Sequence, residues 1–180
     1  MVQTKKERIP NEKVGNTMKI KGLKDEDFVN YRKPSMFIVF PNCSFKCDKE
    51  NGCNLCQNSH LAQEPTIEVS LGELLDRYQS NPLTKAIVCG GLEPFDSIED
   101  LLNLIQAARD FREIDDDIVI YTGYTEEELA EKHPWIYRVI TGYKNIIIKY
   151  GRFRPNEKPH FDEVLGVNLV SSNQYAKKVN

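Results

Sequence analysis

The sequence predicts an α/β protein built on a parallel sheet covered by helices. Two observations carry that reading. Short, β-rich apolar runs recur along the chain, and between them lie amphipathic segments with helical spacing and recognisable starts. Strands and helices in that alternation form right-handed βαβ units, so the strands lie parallel and their C-terminal ends share one rim, where sites collect.

Taken in order, residues 1–17 are polar and carry Pro10 and Gly15, which reads as an N-terminal arm ahead of a single domain over residues 18–180. Met18 to Tyr31 mixes apolar spots with charges and suits a short hairpin or an edge strand. Ser35-Met36-Phe37-Ile38-Val39-Phe40 is the first clear strand, ended by Pro41-Asn42. Ser70 and Glu73 form a capping box, and Leu71, Leu74, Leu75 and Tyr78 line one face of the helix it opens, to about Gln79. Pro82 stops it. Thr84 to Cys89 is a short buried strand closed by Gly90-Gly91. Asp96 or Ser97 caps the next helix, to about Phe111, with Ile98, Leu101, Leu102, Ile105 and Ala108 at helical spacing. Asp117 to Thr122 is the third strand. Thr125 and Glu128 make a second capping box for a helix to about Glu131, and Pro134 suits the first turn of another. Asn145 to Lys149 is the fourth strand. From Gly151 the chain reads as loop, with a last strand expected over Leu165 to Val170. The acidic run Asp115-Asp116-Asp117 reads as a solvated loop.

The 180 residues are 40% hydrophobic and 28% charged, as in an ordinary globular protein. A net charge of -3 is too mild to suggest nucleic acid or an anionic membrane as partner. No apolar run approaches the roughly 18 residues that a membrane span needs. The first residues lack the apolar stretch of a secretory leader, so a cytoplasmic location is expected, where clustered thiols serve as metal or redox ligands rather than disulfides.

Four of the five cysteines, Cys43, Cys47, Cys53 and Cys56, fall within fourteen residues of a polar loop directly after the first strand. Soft thiolates so spaced suit an iron–sulfur cluster or zinc. Three ligands would leave one iron open to a substrate or cofactor, and four would close the site. A four-cysteine zinc knuckle usually has two Cys-x2-Cys pairs, and this loop has one. Cys89 ends a buried strand and reads as inert. Gly90-Gly91-Leu92-Glu93-Pro94 follows that strand. Its glycines let the backbone approach a ligand, and Glu93 can accept from a cationic amine. Thr122-Gly123-Tyr124 reaches the same rim, although a turn and a helix cap also explain it. His60, His133 and His160 are scattered and form no metal pair.

Together these residues resemble the radical S-adenosylmethionine superfamily, and within it the small activating enzymes of anaerobic (class III) ribonucleotide reductase. Cys43-Ser-Phe-Lys-Cys47 matches the first half of the superfamily's Cys-x3-Cys-x2-Cys. Cys56-Gln57-Asn58, with Leu55 before it, matches the last cysteine of the activases. Gly90-Gly91-Leu92-Glu93-Pro94 resembles the Gly-Gly-Glu-Pro element that holds the methionyl amine, with Leu92 inserted. Tyr121-Thr122-Gly123-Tyr124-Thr125 and Ser172-Asn173-Gln174 are similar to motifs of the same activases. Eight residues instead of two separate Cys47 from Cys56. Either Asp48 to Gly52 bulge out and Cys43, Cys47 and Cys56 hold the cluster, or Cys53 replaces one of them.

The resemblance implies a partial (β/α) barrel of the radical S-adenosylmethionine type. It implies a 4Fe-4S cluster on Cys43, Cys47 and Cys56, with S-adenosylmethionine bound by Gly90, Gly91, Glu93 and Thr122. It also implies an external low-potential electron donor such as flavodoxin, and a large glycyl-radical enzyme as partner. The implied chemistry is reductive cleavage of S-adenosylmethionine and removal of a hydrogen from a glycine of that partner. A radical enzyme acting on a small molecule, or on another glycyl-radical enzyme, stands as one alternative. A zinc-knuckle or electron-transfer module stands as the other.

Overall fold

In the computed structural model, which describes residues 17–52, 54 and 56–180, six strands form one mixed sheet. The arm expected over residues 1–17 lies outside the described residues except for Thr17, as does Cys53. The strands are β2 (Gly22–Asp27), β3 (Ser35–Phe40), β5 (Ala86–Gly91), β6 (Asp117–Tyr121), β7 (Ile146–Tyr150) and β10 (Tyr175–Lys178), in the spatial order β10-β7-β6-β5-β3-β2. The four central strands are parallel, and β2 and β10 pair antiparallel at the two edges. The expected parallel sheet is thus flanked by antiparallel edge strands, and the sheet does not close into a barrel. A parallel partner needs a crossover connection, whereas a strand that returns directly pairs antiparallel, as β2 does into β3.

Helices α2 (Leu71–Ser80), α3 (Ile98–Gln106), α4 (Glu126–Lys132) and α5 (Pro134–Thr141) pack on one face of the sheet. Both expected caps start helices, Ser70 as a simple N-cap and Thr125 with Glu128 as a full capping box. Ser70 Oγ accepts from Glu73 N, and Thr125 and Glu128 exchange side-chain and backbone bonds reciprocally. Leu71, Leu74, Leu75 and Tyr78 are buried, each stabilising the packed state by roughly 1.5–3 kcal/mol relative to exposure. After Gln106 the third helix widens into a π turn over Ala107–Phe111. A strand β1 (Thr17–Ile20) pairs antiparallel with β4 (Ile67–Ser70) in a separate ribbon. The strand expected over Leu165 to Val170 forms as β9 (Val167–Leu169), which pairs with β8 (His160–Asp162) in a small separate hairpin, and β10 follows it.

The period-two alternation of the parallel strands decides what reaches the site. Met36, Ile38 and Phe40, Ile87 and Cys89, Ile118 and Ile120, and Ile146, Ile148 and Tyr150 all face the helices. Ala86, Val88, Val119 and Ile147 face the other way, where Tyr31, Leu165 and Leu169 cover them. On that second face Phe37, level with Val88, and Tyr121 and Lys149, further toward the strands' C-terminal ends, line a cavity instead. The acidic run is a correction: Asp116 accepts from Tyr78 Oη at 2.7 Å, and buried Asp117 accepts from Tyr31 Oη at 2.9 Å and Lys33 Nζ at 2.5 Å. A tyrosine or lysine arriving from another element makes such carboxylates structural. No helix among the described residues is long and apolar enough to cross a membrane.

Candidate metal centre

The cysteine loop leaves β3 and is anchored at once. Asn42 O accepts from Glu93 N at 2.8 Å, Asn42 Nδ2 donates to Ser97 Oγ at 3.0 Å, and Ser44 N donates to Asp96 Oδ2 at 2.6 Å. Phe45 takes a left-handed backbone conformation, φ 50°, and starts the short helix α1 (Lys46–Asn51). The residues that lengthen the cysteine spacing, Asp48 to Gly52, form the body and C-cap of α1. Gly52 closes that helix at φ 67°. The Asp48 carboxylate then accepts from Cys56 N at 2.8 Å, so the longer spacing folds back and returns Cys56 toward Cys47. Cys43, Cys47 and Cys56 all line one cavity of about 330 Å³.

The three thiols are free and half-buried. Each sulfur has a backbone N–H near it: Phe45 N reaches Cys43 Sγ at 3.2 Å, and the N–H groups of Phe153 and Asn58 act on Cys47 and Cys56. Burial raises all three thiol pKa values, that of Cys43 to about 12, and these N–H groups oppose the rise. Arg152 and Lys149 pull Cys47 the same way. A coordinating metal deprotonates a thiol outright, and N–H···S bonds are among the levers that set a cluster's potential. Among the described residues no three His, Cys, Asp or Glu side chains come close enough to share a single ion. Thiolates of a four-iron cluster each take a separate iron, and three free thiols lining one cavity offer three such ligands. Cys89 is fully buried on the helix side of the sheet, where burial alone acts on its thiol.

Glu93 lines the same cavity, buried and held by three donors. Thr122 Oγ1 donates to its Oε1 at 2.7 Å, Phe95 N to the same oxygen at 3.1 Å, and Gly123 N to Oε2 at 2.7 Å. Burial pushes its carboxyl up to about 7, against the pull of those hydrogen bonds. Thr122 is itself buried, and its hydroxyl also accepts from Tyr124 N at 3.0 Å. Gly91 lines the cavity at φ 84°, with its missing Cβ only 2.5 Å from Val39 Cγ1. Gly90 does not line it. A Cβ there would press on Phe37 and Tyr121 at 3.2–3.3 Å, so its role is to let those two rings close in. The inserted Leu92 turns into the cavity and is buried.

His60 and Lys149 are among the lining residues to which the sequence assigned no role. His60 borders the cavity from a 3-10 turn after Cys56. Lys149 borders it from β7, and burial lowers its ammonium to about 8 while Glu93 and Cys47 hold it up. A lysine directly after three isoleucines, in a strand buried on both faces, was the signal for the second.

No curated protein and no solved structure matches the chain. Residues 33–174 match the model of the family described as the 4Fe-4S single cluster domain, a span running from just before β3 to the buried Gln174 beside the cavity. With most of its length matched, and three thiols converging on one cavity, the chain belongs to the 4Fe-4S single cluster domain family.

Proposed function

We propose that this chain is a radical S-adenosylmethionine activase that places a glycyl radical on a large partner enzyme, an anaerobic ribonucleotide reductase. The shared cavity carries the reading: three thiols, a positioned carboxylate and about 330 Å³ of space lie together. An electron-transfer cluster requires only its thiolates. The cluster would fill part of that space, and the wall beyond the thiols, with Gly91, Glu93 and Thr122, offers its polar groups to a second, organic ligand.

Cys43, Cys47 and Cys56 would each hold one iron, with the N–H groups of Phe45, Phe153 and Asn58 steadying their sulfurs. Three protein ligands leave one iron to the ligand's amino-acid end. Bound together, the cluster and S-adenosylmethionine would supply one-electron cleavage of a sulfonium C–S bond and hydrogen abstraction from the partner's glycine. Glu93, fixed by Thr122, Gly123 and Phe95, would accept from the ligand's ammonium. Gly91, with no side chain, would let the backbone pass close to it. Phe37 and Leu92 give the wall an apolar lining that keeps water out. The sheet, with its C-terminal rim open, would serve as the partial barrel, and flavodoxin or a similar low-potential protein as the electron donor.

The test is anaerobic incubation of the cluster-loaded protein with reductant, S-adenosylmethionine and the large subunit of an anaerobic ribonucleotide reductase. A glycyl signal in electron spin resonance is expected. Cofactor cleavage with no glycyl signal on any large partner would move the reading to a small-molecule substrate.

A further inference from the structure

We infer that Arg152 is a positioning residue that clamps helix α1 across the rim of the sheet, holding a cation beside Cys47 and so raising the reduction potential of the cluster. This role depends on a cluster at the three thiols and on no second ligand beside it.

β3 and β7 are not neighbours, since β5 and β6 lie between them. The loop after β3 and the segment after β7 nevertheless meet, through α1. Asn51 Nδ2 donates to Phe153 O at 3.3 Å, and Glu50 Oε1 pairs with Arg152 Nε at 3.3 Å. The N–H of the same Phe153 acts on Cys47. No residue of α1 is buried, so no apolar face holds it down. A helix of six residues does not persist on its own in water. Its place between Cys47 and Cys56 therefore rests on polar partners, and the segment after β7 supplies two of them.

Arg152 is the fixed end of that strap. Its side chain is 10% exposed. Nη2 donates to both oxygens of Glu128 at 2.7 and 2.8 Å, and the guanidinium carbon lies 5.8 Å from the centre of the Tyr124 ring. The Arg152 carbonyl accepts from Asn173 Nδ2 at 2.9 Å, which holds the backbone as well. α4 thus grips the guanidinium through Nη2, and α1 meets it through Nε. A guanidinium offers a fixed fork to two carboxylates at once, which the point charge of a lysine does not.

Cys43, Cys47 and Arg152 line one small cleft, with Lys46 and Tyr124 beside them. The positive charge of Arg152 favours the Cys47 thiolate. A cation near a cluster likewise favours the reduced state, which carries one more electron. Glu50 and Glu128 offset part of that charge, but Glu50 is more than half exposed and its field is screened by water and salt. Removing the guanidinium takes the cation away and leaves both carboxylates without that partner. Both changes lower the potential.

The test uses the cluster-loaded full chain with no ligand added. The midpoint potential is read by anaerobic redox titration followed by electron spin resonance, and the opening of α1 by hydrogen exchange over residues 46–52. Arg152→Met should lower the midpoint potential at wild-type iron and sulfide content. It should also speed exchange in α1 by about two- to fivefold, the effect of losing one partly exposed ion pair. Arg152→Lys, which keeps the charge and loses the fork, should keep the wild-type potential while α1 still exchanges faster. It also covers the case in which Arg152→Met fails to load iron. A loaded Arg152→Met at the wild-type potential, or a clear fall in Arg152→Lys, would overturn the electrostatic role. Unchanged exchange in α1 in the variants would overturn the clamp. No ligand takes part, so these outcomes are separate from the S-adenosylmethionine reading.

Discussion

Asn58 Nδ2 donates to the carbonyl of Gly91 at 2.8 Å, joining the end of the cysteine loop to the glycine turn after β5. The two segments are 33 residues apart in sequence, and Asn58 and Gly91 both line the cavity. The same loop that carries Cys56 is thereby locked to the wall that carries Glu93. Asn58→Ala should cost about 1 kcal/mol in unfolding stability, the worth of one such hydrogen bond. It should also shorten the lifetime of the loaded cluster, followed by the decay of its visible absorbance under anaerobic conditions. Unchanged cluster lifetime would show that the loop keeps its place without this bond.

The cysteines divide by what surrounds their sulfurs. Cys43→Ala should abolish cluster loading, measured as iron and sulfide per chain, because it removes a cavity-lining thiolate. Cys89→Ala should load normally and lose only about 1–2 kcal/mol of stability, the effect of a small void in a packed core. Equal iron loss in both would misplace the centre.

Glycines 91 and 52 both have positive φ but differ in space. A Cβ on Gly91 meets Val39 Cγ1 at 2.5 Å, whereas a Cβ on Gly52 meets nothing within 4 Å. Gly91→Ala should therefore destabilise by about 2–4 kcal/mol and disturb loading, and Gly52→Ala by about 1 kcal/mol, the conformational part alone. Urea unfolding of both variants distinguishes the two contributions. Similar losses would mean that Val39 gives way.

Glu128 closes its capping box and pairs with Arg152 Nη2 at 2.7 and 2.8 Å, beside the ring of Tyr124. Partial burial pushes its carboxyl up, but the bonds from Arg152 and Thr125 N outweigh that and leave it at about 2. A carboxyl held below its unfolded value of 4.5 adds stability above that pH, and loses it as pH falls toward 2. After discounting for solvent screening, Glu128→Gln should cost about 1 kcal/mol at neutral pH. The difference from wild type should shrink between pH 4.5 and 2. A difference that stays constant over that range would assign the effect to packing rather than charge.

Much of the scaffold was legible because it rests on local rules. The β3 run from Ser35 to Phe40, the Ser70 cap and the Thr125–Glu128 capping box appear where the residues place them, since alternation and cap chemistry act within a few positions. What was not legible depends on partners far along the chain. Tyr175–Lys178 carries no strand signal of its own and forms an edge strand because β7 offers a free ladder. Ile67–Ser70 forms a strand only against β1. Asp116 and Asp117 are acidic loop residues until Tyr78 and Tyr31 reach them.

The site divides in the same way. Cys43, Cys47 and Cys56 announce themselves by residue type, and the strand order brings their loop to the rim that Glu93 and Thr122 share. The eight residues between Cys47 and Cys56 looked like an irregularity. Asp48 belongs to the short helix α1, and its carboxylate accepts from Cys56 N, a bond that spacing cannot reveal. Lys149 escaped because its meaning is its surroundings: on an edge strand facing water the same residue would be ordinary.

The central claim is that three thiolates hold a cluster with one iron open to S-adenosylmethionine. The most direct measurement is the formation of 5′-deoxyadenosine and methionine by anaerobically reconstituted protein supplied with dithionite and S-adenosylmethionine. The account predicts about four irons and four sulfides per chain, with both products formed by wild-type protein and neither by Cys43→Ala. Fully loaded wild-type protein that forms no 5′-deoxyadenosine, or protein that holds one zinc and no sulfide, would contradict it.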